Sequence, residues 1–512
     1  MNGSIIFPCT SQYAYQGYDC SKYCPYEFPL WGVESKCRMM DLSKIEKEFS
    51  SPWGGSWEGR VYFIGIGGIG MSAVARFFHS KGAKVSGYDK TPTALTRELE
   101  ASGIAVHYEE KPDEVPRDAD LVVYTPAIPK EHRELLFYQQ NDYKVVKRSD
   151  VLQIITTSSF NICVAGTHGK TTITTMVAHL LRYSGFGCNA FLGGIAVNYG
   201  TNFWSSERNV CVVEADEYDR SFLKLDPDMA IITSMDADHL DIYGTAQSME
   251  NAFIDFSRKI RPGGMLIRKL DLARGKELTA DHHLTYSLQN KEADVYATNI
   301  RMMNGSYEFD AVMIEGRLEN VKLHMGGLHN VENAIAAIRI ASSLGIDKGK
   351  IKAAVEAFRG VKRRFEYIVK NENMVFVDDY AHHPEELRAL INGARGLFKE
   401  RKCTVIFQPH LYTRTRDHAD GFAAVLDLAD EVILLPIYPA REVAIQGVES
   451  QMILGRMKNK QKSVKTKSEL MDWISNVFGK KWKKGDRELL ITAGAGDIDT
   501  LVEPIKKIIE AN

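Results

Sequence analysis

The chain has 512 residues, enough for three ordinary domains with separate hydrophobic cores. Hydrophobic residues make up 44% and charged residues 25% of the sequence, which is typical of a globular protein, and no apolar run is long enough to span a bilayer. The 64 basic and 66 acidic residues nearly balance, so we expect neither a nucleic acid nor a membrane as a partner.

Residues 1–57 show no clear hydrophobic periodicity, and we predict an N-terminal extension that is either disordered or a gene-model artefact, with Met40 as an alternative start. The segment lacks the basic start and long apolar core of a secretory signal, which favours a cytoplasmic protein. Its cysteines include one Cys-x-x-x-Cys pair without a second pair or a histidine cluster, so we favour a loose segment over a zinc site. These cysteines are Cys9, Cys20, Cys24 and Cys37.

From residue 58 onward, predicted strands and helices alternate, which is typical of parallel sheets with helical crossovers. Breaks in the pattern near residues 158 and 360 divide this part of the chain into three α/β units. We therefore predict an α/β fold with three domains. These are a Rossmann-like domain over residues 58–158, a central P-loop ATPase-type domain over 159–360 and a Rossmann-like C-terminal domain over 361–512.

The first unit opens with the predicted strand VYFIGI and the turn GIGGIG (Gly65–Gly70), which matches the pattern G-x-G-x-x-G. Asp89 follows at the end of the next predicted strand. In this pattern the glycines lie against a diphosphate and the acid binds a ribose hydroxyl, which by itself predicts NAD. A UDP-linked ligand presents the same two groups, so the motif leaves both ligands open.

The second unit opens with the predicted strand NICVAG and the stretch GTHGKTT (Gly166–Thr172). A glycine-rich turn between a strand and a helix aims backbone N–H groups at an anion, and the helix adds the positive end of its dipole. In such a loop Lys170 contacts the β- and γ-phosphates and Thr171 a Mg²⁺ ion. Val164 stands where the usual spacing has glycine, so the stretch is a variant of the phosphate-binding loop.

Two acidic stretches follow the next predicted strands of this unit. VVEADEYD and SMDADHLD supply Glu214, Asp216, Glu217, Asp236, Asp238 and His239. Ligands of open α/β sheets bind at the carboxyl ends of the strands, and Mg²⁺ takes one or two carboxylates together with phosphate oxygens and water. In combination with the phosphate-binding loop, these stretches predict a metal site.

In the third unit, DDYAHHP and FQPHLYTRTRD bring acidic, imidazole and guanidinium groups to the ends of predicted strands. Arginine forks suit carboxylates and phosphates. The cluster therefore predicts a site for a second substrate or for a phosphate. Its members are Asp378, Asp379, His382, His383, His410, Arg414 and Arg416.

From about Arg60 to the C-terminus, the sequence resembles the Mur ligase family. The stretches that carry the resemblance are GIGGIGMSA, GTHGKTT, EADE, DADHLDIYG, HNVENAIAA, RRFE, DDYAHHPEE and FQPHLYTRTRD. Each is modest alone, but their order and combination are highly specific. Members of the family have one domain for a UDP-sugar, one for ATP and a C-terminal one for the incoming amino acid.

The resemblance implies roles for individual residues. The UDP-sugar residues are Gly65, Gly67, Gly68, Gly70, Ser72, Asp89 and Arg148. The ATP-binding residues are Gly166, Thr167, His168, Gly169, Lys170, Thr171, Thr172, His329, Asn333, Arg363, Arg364 and Asp379. The metal ligands are Thr171, Glu214 and His239, and the amino-acid site contains Tyr380, His382 and Arg414. The catalytic residues are Lys170, His239, His382 and Arg414.

The resemblance also implies the activity: ATP-dependent formation of an amide bond between L-alanine and the lactyl carboxylate of UDP-N-acetylmuramate, through an acyl phosphate, in peptidoglycan precursor synthesis. Leu411 stands where some members carry arginine, which leaves recognition of the alanine carboxylate to Arg414 and His382. We expect a monomer or a weak homodimer.

Three alternative functions remain at this point. A family relative that attaches a tripeptide instead of alanine shares most of the motifs. An NAD-dependent dehydrogenase would explain GIGGIG but leaves GTHGKTT and the acidic stretches without a role. A nucleotide-dependent switch protein would explain GTHGKTT alone.

Overall fold

The computed structural model describes residues 59–236, 240–303, 305–440, 442–480 and 487–511, and only the backbone of residues 240, 241 and 480. All of them fall in one compact unit, Met39–Asn512. The predicted N-terminal extension with its four cysteines lies outside the described residues, as does His239. Within the described ranges, no helix combines the length and apolar character needed to cross a bilayer.

The first sheet has five parallel strands in the order β3-β2-β1-β4-β5. Its strands are β1 (Arg60–Ile64), β2 (Lys84–Tyr88), β3 (Ala105–His107), β4 (Leu121–Tyr124) and β5 (Val145–Lys147). The helices of this part are α1 (Ile69–Ser80), α2 (Ala94–Ala101), α3 (Arg133–Gln140) and α4 (Arg148–Thr157). The strand order reverses beside β1, and ligands of open α/β sheets bind at such a switch point. The GIGGIG turn leaves the sheet here.

The central sheet has ten strands in the order β15-β14-β13-β12-β11-β10-β6-β9-β7-β8. Its strands are β6 (Phe160–Ala165), β7 (Asn189–Ala196), β8 (Thr201–Trp204), β9 (Val210–Glu214), β10 (Met229–Ile232), β11 (Met265–Lys269), β12 (His282–Ser287), β13 (Val295–Met303), β14 (Ser306–Met313) and β15 (Gly316–Leu323). β6 lies between β9 and β10, parallel to both, and all its residues are buried. This is why its sequence FNICVA is almost continuously apolar.

The helices of the central part are α5 (Lys170–Tyr183), α6 (Leu240–Tyr243), α7 (Ala246–Arg258), α8 (Leu328–Ser343) and α9 (Lys348–Ala357). α5 follows β6 directly and packs beside α8. Strands β13, β14 and β15 form an antiparallel meander at one edge of the sheet, and β8 pairs antiparallel with β7 at the other. The parallel strands β6, β9 and β10 in the middle of the sheet therefore end at the same edge, and the loops that follow them lie there.

The third sheet has six strands in the order β16-β17-β21-β18-β19-β20, and only the edge strand β16 is antiparallel to its neighbour. Its strands are β16 (Glu366–Lys370), β17 (Met374–Asp379), β18 (Lys402–Phe407), β19 (Glu431–Leu434), β20 (Lys462–Val464) and β21 (Glu488–Ala493). Its helices are α10 (Pro384–Leu397), α11 (Tyr412–Asp417), α12 (Ala419–Leu426), α13 (Ser450–Arg456), α14 (Lys467–Asn476) and α15 (Val502–Glu510).

The first and central sheets share a hydrophobic core. α1 packs on β7 and β8, where the Phe77 ring lies 5.6 Å from Phe191 and 6.1 Å from Phe203 between centroids. The third sheet has cores of its own on its two faces. This packing sets the carboxyl ends of β1 and β9 close together.

The chain enters the third sheet along the end of β7. The Val197 N–H donates to the Gly360 carbonyl at 3.0 Å, and the Lys362 N–H donates to the Ile195 carbonyl at 2.8 Å. These two backbone hydrogen bonds hold the connecting segment on the central sheet. A Cβ on Gly194 would lie 2.6 Å from Val361 and 2.9 Å from Thr171, so the arginines that follow start near the phosphate-binding loop.

Candidate active site

The GTHGKTT stretch forms the turn between β6 and α5. Gly166 has φ +126° and Gly169 has φ +81°, both in the region that favours glycine. A Cβ on Gly166 would lie 2.0 Å from the Thr233 hydroxyl oxygen, so no larger residue fits there without rearrangement. The turn thus has a backbone conformation that favours glycine at both positions.

Residues at the end of β10 hold this turn in shape. The Ser234 hydroxyl accepts from the His168 N–H at 2.9 Å and lies 2.8 Å from the Thr167 hydroxyl. The Thr233 hydroxyl donates to the His168 carbonyl at 2.5 Å. Neither Thr233 nor Ser234 was among the predicted site residues. The only signal for them was their position directly after a buried strand.

Lys170 and Thr171 begin helix α5, and each contacts a carboxylate. The Lys170 ammonium donates to the Gly166 carbonyl and to Glu217 Oε1, both at 2.7 Å. The Thr171 hydroxyl donates to Glu214 Oε1 at 3.0 Å. Thr172 is buried within the helix. The lysine and the hydroxyl predicted to serve phosphate and metal thus lie side by side at the mouth of the turn.

Glu214 ends β9 and is held from two sides, because its Oε2 also accepts from the Gly193 N–H at 3.0 Å. Burial raises the pKa of this carboxyl, and the charges of Lys170 and Arg364 oppose that rise. Thr171 and Glu214 together offer oxygen donors of the kind that Mg²⁺ binds. His239, the third predicted ligand, lies outside the described residues, and among those described no group of three His, Cys, Asp or Glu side chains is close enough to hold a metal.

The GIGGIG turn follows β1 and is bound to the end of β2. The Gly65 N–H donates to the Tyr88 carbonyl at 2.7 Å, and the Gly67 N–H donates to Asp89 Oδ2 at 2.8 Å. The exposed Gly68 leads into α1. The Asp89 side chain therefore lies beside the turn and holds it through a hydrogen bond. Ser72, predicted to contact the UDP-sugar, is fully buried, and its hydroxyl accepts from Asn202 at 2.9 Å between the first two sheets.

A cavity of about 270 Å³ joins the GIGGIG turn to the end of β9. Its walls include Gly68, Ile69, Gly70, Met71, Ala73, Val74, Thr125, Arg148, Leu152, Phe191, Leu192, Gly193, Val213, Glu214 and Asp216. Arg148 packs on Gly70, where a Cβ would lie 2.6 Å from its Nη1. The guanidinium is 4.0 Å from Asp216 Oδ2, which also lines the cavity. The cavity therefore extends from the GIGGIG turn to Glu214, which accepts a hydrogen bond from Thr171 of the GTHGKTT stretch.

Helix α8 places its N-terminal half next to the phosphate-binding loop. A Cβ on Gly169 would lie 3.1 Å from the Asn333 amide oxygen, which shows how closely the two elements approach. The Asn333 amide donates to Asn330 Oδ1 at 3.1 Å and is buried, whereas His329 is exposed. Asn333 thus lies against the loop, and His329 faces solvent at the start of the same helix.

The sequence left Arg363 and Arg364 as equivalent candidates, and the structure distinguishes them. The Arg363 guanidinium lies 3.5 Å from Asp378 Oδ2, donates to the Gly494 carbonyl and stacks 5.1 Å from the Tyr380 ring. Arg364 is exposed, with its guanidinium 5.5 Å from the same ring. Arg363 is thus tied into the third sheet, while Arg364 is free to contact a ligand.

Asp379 holds the segment that connects to the third sheet. Its carboxylate accepts from the Phe365 N–H at 2.6 Å and from the Ala381 N–H at 2.7 Å. Burial raises the pKa of Asp379 to about 6, and the two backbone N–H groups and the charge of Arg364 oppose this rise. The neighbouring Asp378 is buried and accepts from the Thr492 hydroxyl at 2.6 Å. Both carboxylates thus have structural partners within the third sheet.

The predicted amino-acid residues form a cluster at the ends of β17 and β18. The His382 ring lies 5.3 Å from Tyr380 and 6.2 Å from His410, between centroids. His410 Nδ1 is 3.3 Å from the Arg414 guanidinium. Burial lowers the pKa of His382, and burial together with the Arg414 charge lowers that of His410 to about 4. Both imidazoles are therefore neutral at pH 7, beside a permanent cation.

Two other residues of the third unit have different roles from this cluster. His383 is the N-cap of α10, and its backbone N–H donates to Glu386. Arg416 is exposed and pairs with Asp417. Leu411, at the start of α11, has φ +68°, which is strained for a branched side chain.

Comparison with protein families gives three consecutive matches. Residues 60–159 match the Mur ligase family catalytic domain, residues 164–341 the Mur ligase middle domain and residues 363–496 the Mur ligase glutamate ligase domain. The matches follow the order of the three sheets.

Individual proteins and solved structures that are similar to this chain agree with these family matches. The chain is 46% identical to the UDP-N-acetylmuramate–L-alanine ligase of Cytophaga hutchinsonii, over 88% of this chain and 97% of that protein. It is 47% identical to the ligase of the same name from Phocaeicola vulgatus, over 87% and 97%. The crystal structure of the UDP-N-acetylmuramate–alanine ligase of Thermotoga maritima is 29% identical, with a TM-score of 0.75 over 88% of this chain and 99% of that one.

A murein peptide ligase from Psychrobacter arcticus shares the fold, with a TM-score of 0.62 at 21% identity, over 88% of this chain and 98% of that one. Together these matches confirm the predicted three-domain α/β fold, with Rossmann-like outer domains and a central P-loop ATPase-type domain, and the predicted resemblance. The chain belongs to the Mur ligase family.

Proposed function

We propose that this protein is an ATP-dependent ligase that joins L-alanine to the lactyl carboxylate of UDP-N-acetylmuramate, in the synthesis of peptidoglycan precursors. The observation that carries the proposal is the cavity that runs from the GIGGIG turn to Glu214, because Glu214 is the carboxylate that accepts from Thr171 of the phosphate-binding loop. The names of the relatives at 46% and 47% identity support the same reaction and the same substrates.

In this proposal, each of the three domains binds one substrate. Residues 58–158 bind the UDP-sugar, residues 159–360 bind ATP and residues 361–512 bind alanine. The GIGGIG turn and Arg148 hold the diphosphate end and lead the sugar into the cavity toward Glu214. Asn333 and His329 lie near the nucleotide base, and Arg364 is the better candidate than Arg363 for reaching the nucleotide from the third domain, because it is exposed and its charge acts on Glu214.

Mg²⁺ fits the donors at the mouth of the phosphate-binding loop. The Thr171 hydroxyl and the Glu214 carboxylate are 3.0 Å apart and are hard oxygen donors. These two residues, with His239 as the third ligand, would hold the ion. When bound, Mg²⁺ neutralises charge on the phosphate oxygens during transfer.

The reaction needs activation of a carboxylate, because an amine cannot expel an oxide ion from it. The lactyl carboxylate oxygen attacks the γ-phosphorus of ATP, the bond to the bridging oxygen breaks, and ADP leaves. The alanine amine then attacks the carbonyl carbon of the acyl phosphate, loses a proton, and expels inorganic phosphate. Lys170 and the positive end of α5 stabilise the negative charge on the phosphate oxygens in the first step.

The cluster of Tyr380, His382, His410 and Arg414 suits the second substrate. The Arg414 guanidinium pairs with the alanine carboxylate. The neutral His382 imidazole has a nitrogen available to accept a proton from the amine, since its Nδ1 is 2.9 Å from the Tyr380 carbonyl. ATP and alanine bind in different domains, so we propose that domain closure brings them together and excludes water from the acyl phosphate.

We also propose that the reaction takes place in the cytoplasm. The four cysteines of the described residues, Cys163, Cys188, Cys211 and Cys403, are all buried free thiols, which suits a reducing compartment. The proposal requires neither nucleic acid nor membrane, and it holds for a monomer or a weak homodimer.

The test is phosphate release by the purified protein with ATP, Mg²⁺, UDP-N-acetylmuramate and a panel of amino acids and peptides. We expect release only when ATP, the UDP-sugar and an amino acid are all present, with L-alanine preferred. A preference for a tripeptide would support the murein peptide ligase instead. Phosphate release without the UDP-sugar would support a nucleotide-dependent switch, and NADH binding a dehydrogenase.

A further inference from the structure

Two neighbouring residues of α5 meet two carboxylates that are three positions apart in the stretch EADE. Thr171 donates to Glu214, whereas Lys170 donates to Glu217. The two glutamates therefore have different partners. Glu214 belongs to the candidate metal site, and Glu217 has no part in the function proposed above.

The contact between Lys170 and Glu217 is shielded from solvent. The Glu217 side chain is 1% exposed and that of Lys170 is 13% exposed, with 2.7 Å between Nζ and Oε1. Burial raises the pKa of Glu217, and the lysine charge opposes this rise. A buried ion pair of this kind holds its partners firmly, because separating them leaves an uncompensated charge.

The loop that carries Glu217 is fixed by a second element. The Tyr243 hydroxyl, at the end of α6, donates to the Glu217 carbonyl at 2.7 Å, and the Arg220 guanidinium lies 5.1 Å from the Tyr243 ring. Asp219 and Arg220 have φ of 52° and 60°, and the Arg220 N–H donates to the Glu217 carbonyl at 2.9 Å, so a tight turn begins at Glu217. The carboxylate is thus presented to Lys170 by a turn that a hydrogen bond from Tyr243 holds in place.

The lysine ammonium has three N–H donors. Among the described residues, the Gly166 carbonyl and Glu217 each accept one of these N–H groups. One N–H therefore remains for a ligand. We propose that Glu217 is a positioning residue that holds the Lys170 ammonium at the mouth of the phosphate-binding loop, with its third N–H directed at the terminal phosphates of ATP. The inference rests on the proposed function, since it requires that ATP binds in this loop.

The test is a double-mutant cycle on ATP binding. The dissociation constant of a non-hydrolysable ATP analogue with Mg²⁺ is measured for the wild type, Lys170→Ala, Glu217→Ala and the double variant. We expect Glu217→Ala to weaken binding about 10-fold and the double variant to bind no more weakly than Lys170→Ala, because Glu217 acts through the lysine. Effects that multiply, or a Glu217→Ala variant with wild-type affinity, would overturn the inference.

Controls separate positioning from a general structural role. Glu217→Gln keeps an oxygen acceptor and should recover part of the affinity, whereas Asp219→Asn removes a charge from the same turn and should bind the analogue as the wild type does. In turnover, Glu217→Gln should raise the KM for ATP and leave the KM values for the UDP-sugar and alanine within about twofold. A parallel rise in all three KM values would indicate disturbed folding and overturn the inference.

The same measurements distinguish this inference from the proposed function. If the wild-type protein does not bind the ATP analogue at all, the proposed function fails. If it binds the analogue and Glu217→Ala binds it equally well, only the role of Glu217 fails.

Discussion

Replacement of Gly193 by alanine should displace the Glu214 carboxylate without unfolding the protein. Gly193 lies in β7, and its N–H donates to Glu214 Oε2 at 3.0 Å. A Cβ at this position would lie 2.1 Å from Oε2 and 2.6 Å from Oε1. Ordinary contact begins at 3.4 Å, so the carboxylate has to move by roughly 1 Å. Gly193 has no positive φ, so the backbone itself tolerates alanine.

The size of the effect follows from what the carboxylate does. A displacement of roughly 1 Å in a catalytic group costs on the order of 100-fold in rate. Loss of support for a metal ligand costs roughly 10- to 100-fold in metal affinity or activity. We therefore expect Gly193→Ala to lower kcat by about 10- to 100-fold and to raise the Mg²⁺ concentration needed for half-maximal activity.

The assay is phosphate release at saturating substrates over a range of Mg²⁺ concentrations. The matched control is Gly396→Ala in α10, because a Cβ there meets no atom within 4 Å. The control should keep wild-type kcat and gain up to about 1 kcal/mol of stability, since alanine is the better helix former. If Gly193→Ala keeps near-native kcat with unchanged Mg²⁺ dependence, Glu214 is not where the reaction needs it.

Three further predictions concern other residues. Lys170→Ala should abolish ADP formation while UDP-sugar affinity, measured by calorimetry, changes less than twofold; retained turnover would contradict the role of the lysine. Arg364→Ala should raise the KM for ATP, whereas Arg363→Ala should mainly lower the melting temperature, because the Arg363 guanidinium is bound inside the third sheet; the reverse pattern would contradict this assignment. Burial lowers the pKa of His179 from 6.5 to about 4, so the unfolded state binds the extra proton and stability falls as pH drops from 6.5 to 4, by roughly 3 kcal/mol from this one group. Urea unfolding of the wild type and His179→Phe at pH 7.5 and 4.5 checks this. The free energy of unfolding of the wild type minus that of the variant should be smaller at pH 4.5, and the same value at both pH values would refute the prediction.

The fold was accessible from the sequence because buried parallel strands leave a strong pattern. β6 and β10 are short, almost continuously apolar runs followed by glycine or acidic turns, and that pattern predicts a parallel sheet with a site at its carboxyl edge. The antiparallel pairing of β13, β14 and β15 was harder to foresee. Long-range pairing depends on partners that periodicity within one segment does not identify.

The parts of the site that sequence could not resolve are those fixed by three-dimensional context. Arg363 and Arg364 are neighbours with the same chemistry, but the Arg363 guanidinium contacts Asp378 and Gly494 in the third sheet, whereas Arg364 is exposed. Gly193 and Ser234 support Glu214 and the phosphate-binding loop without belonging to any motif. Their roles depend on which residues of other strands and loops lie next to them, and the local sequence does not identify these neighbours.

The transfer of phosphate to a carboxylate can be followed by isotope. The lactyl carboxylate of UDP-N-acetylmuramate is labelled with ¹⁸O, the reaction is run with unlabelled ATP and L-alanine, and the inorganic phosphate is analysed by mass spectrometry. Formation of an acyl phosphate predicts one ¹⁸O atom in each phosphate released. Phosphate that carries no ¹⁸O while the amide product accumulates would contradict the proposed acyl-phosphate chemistry.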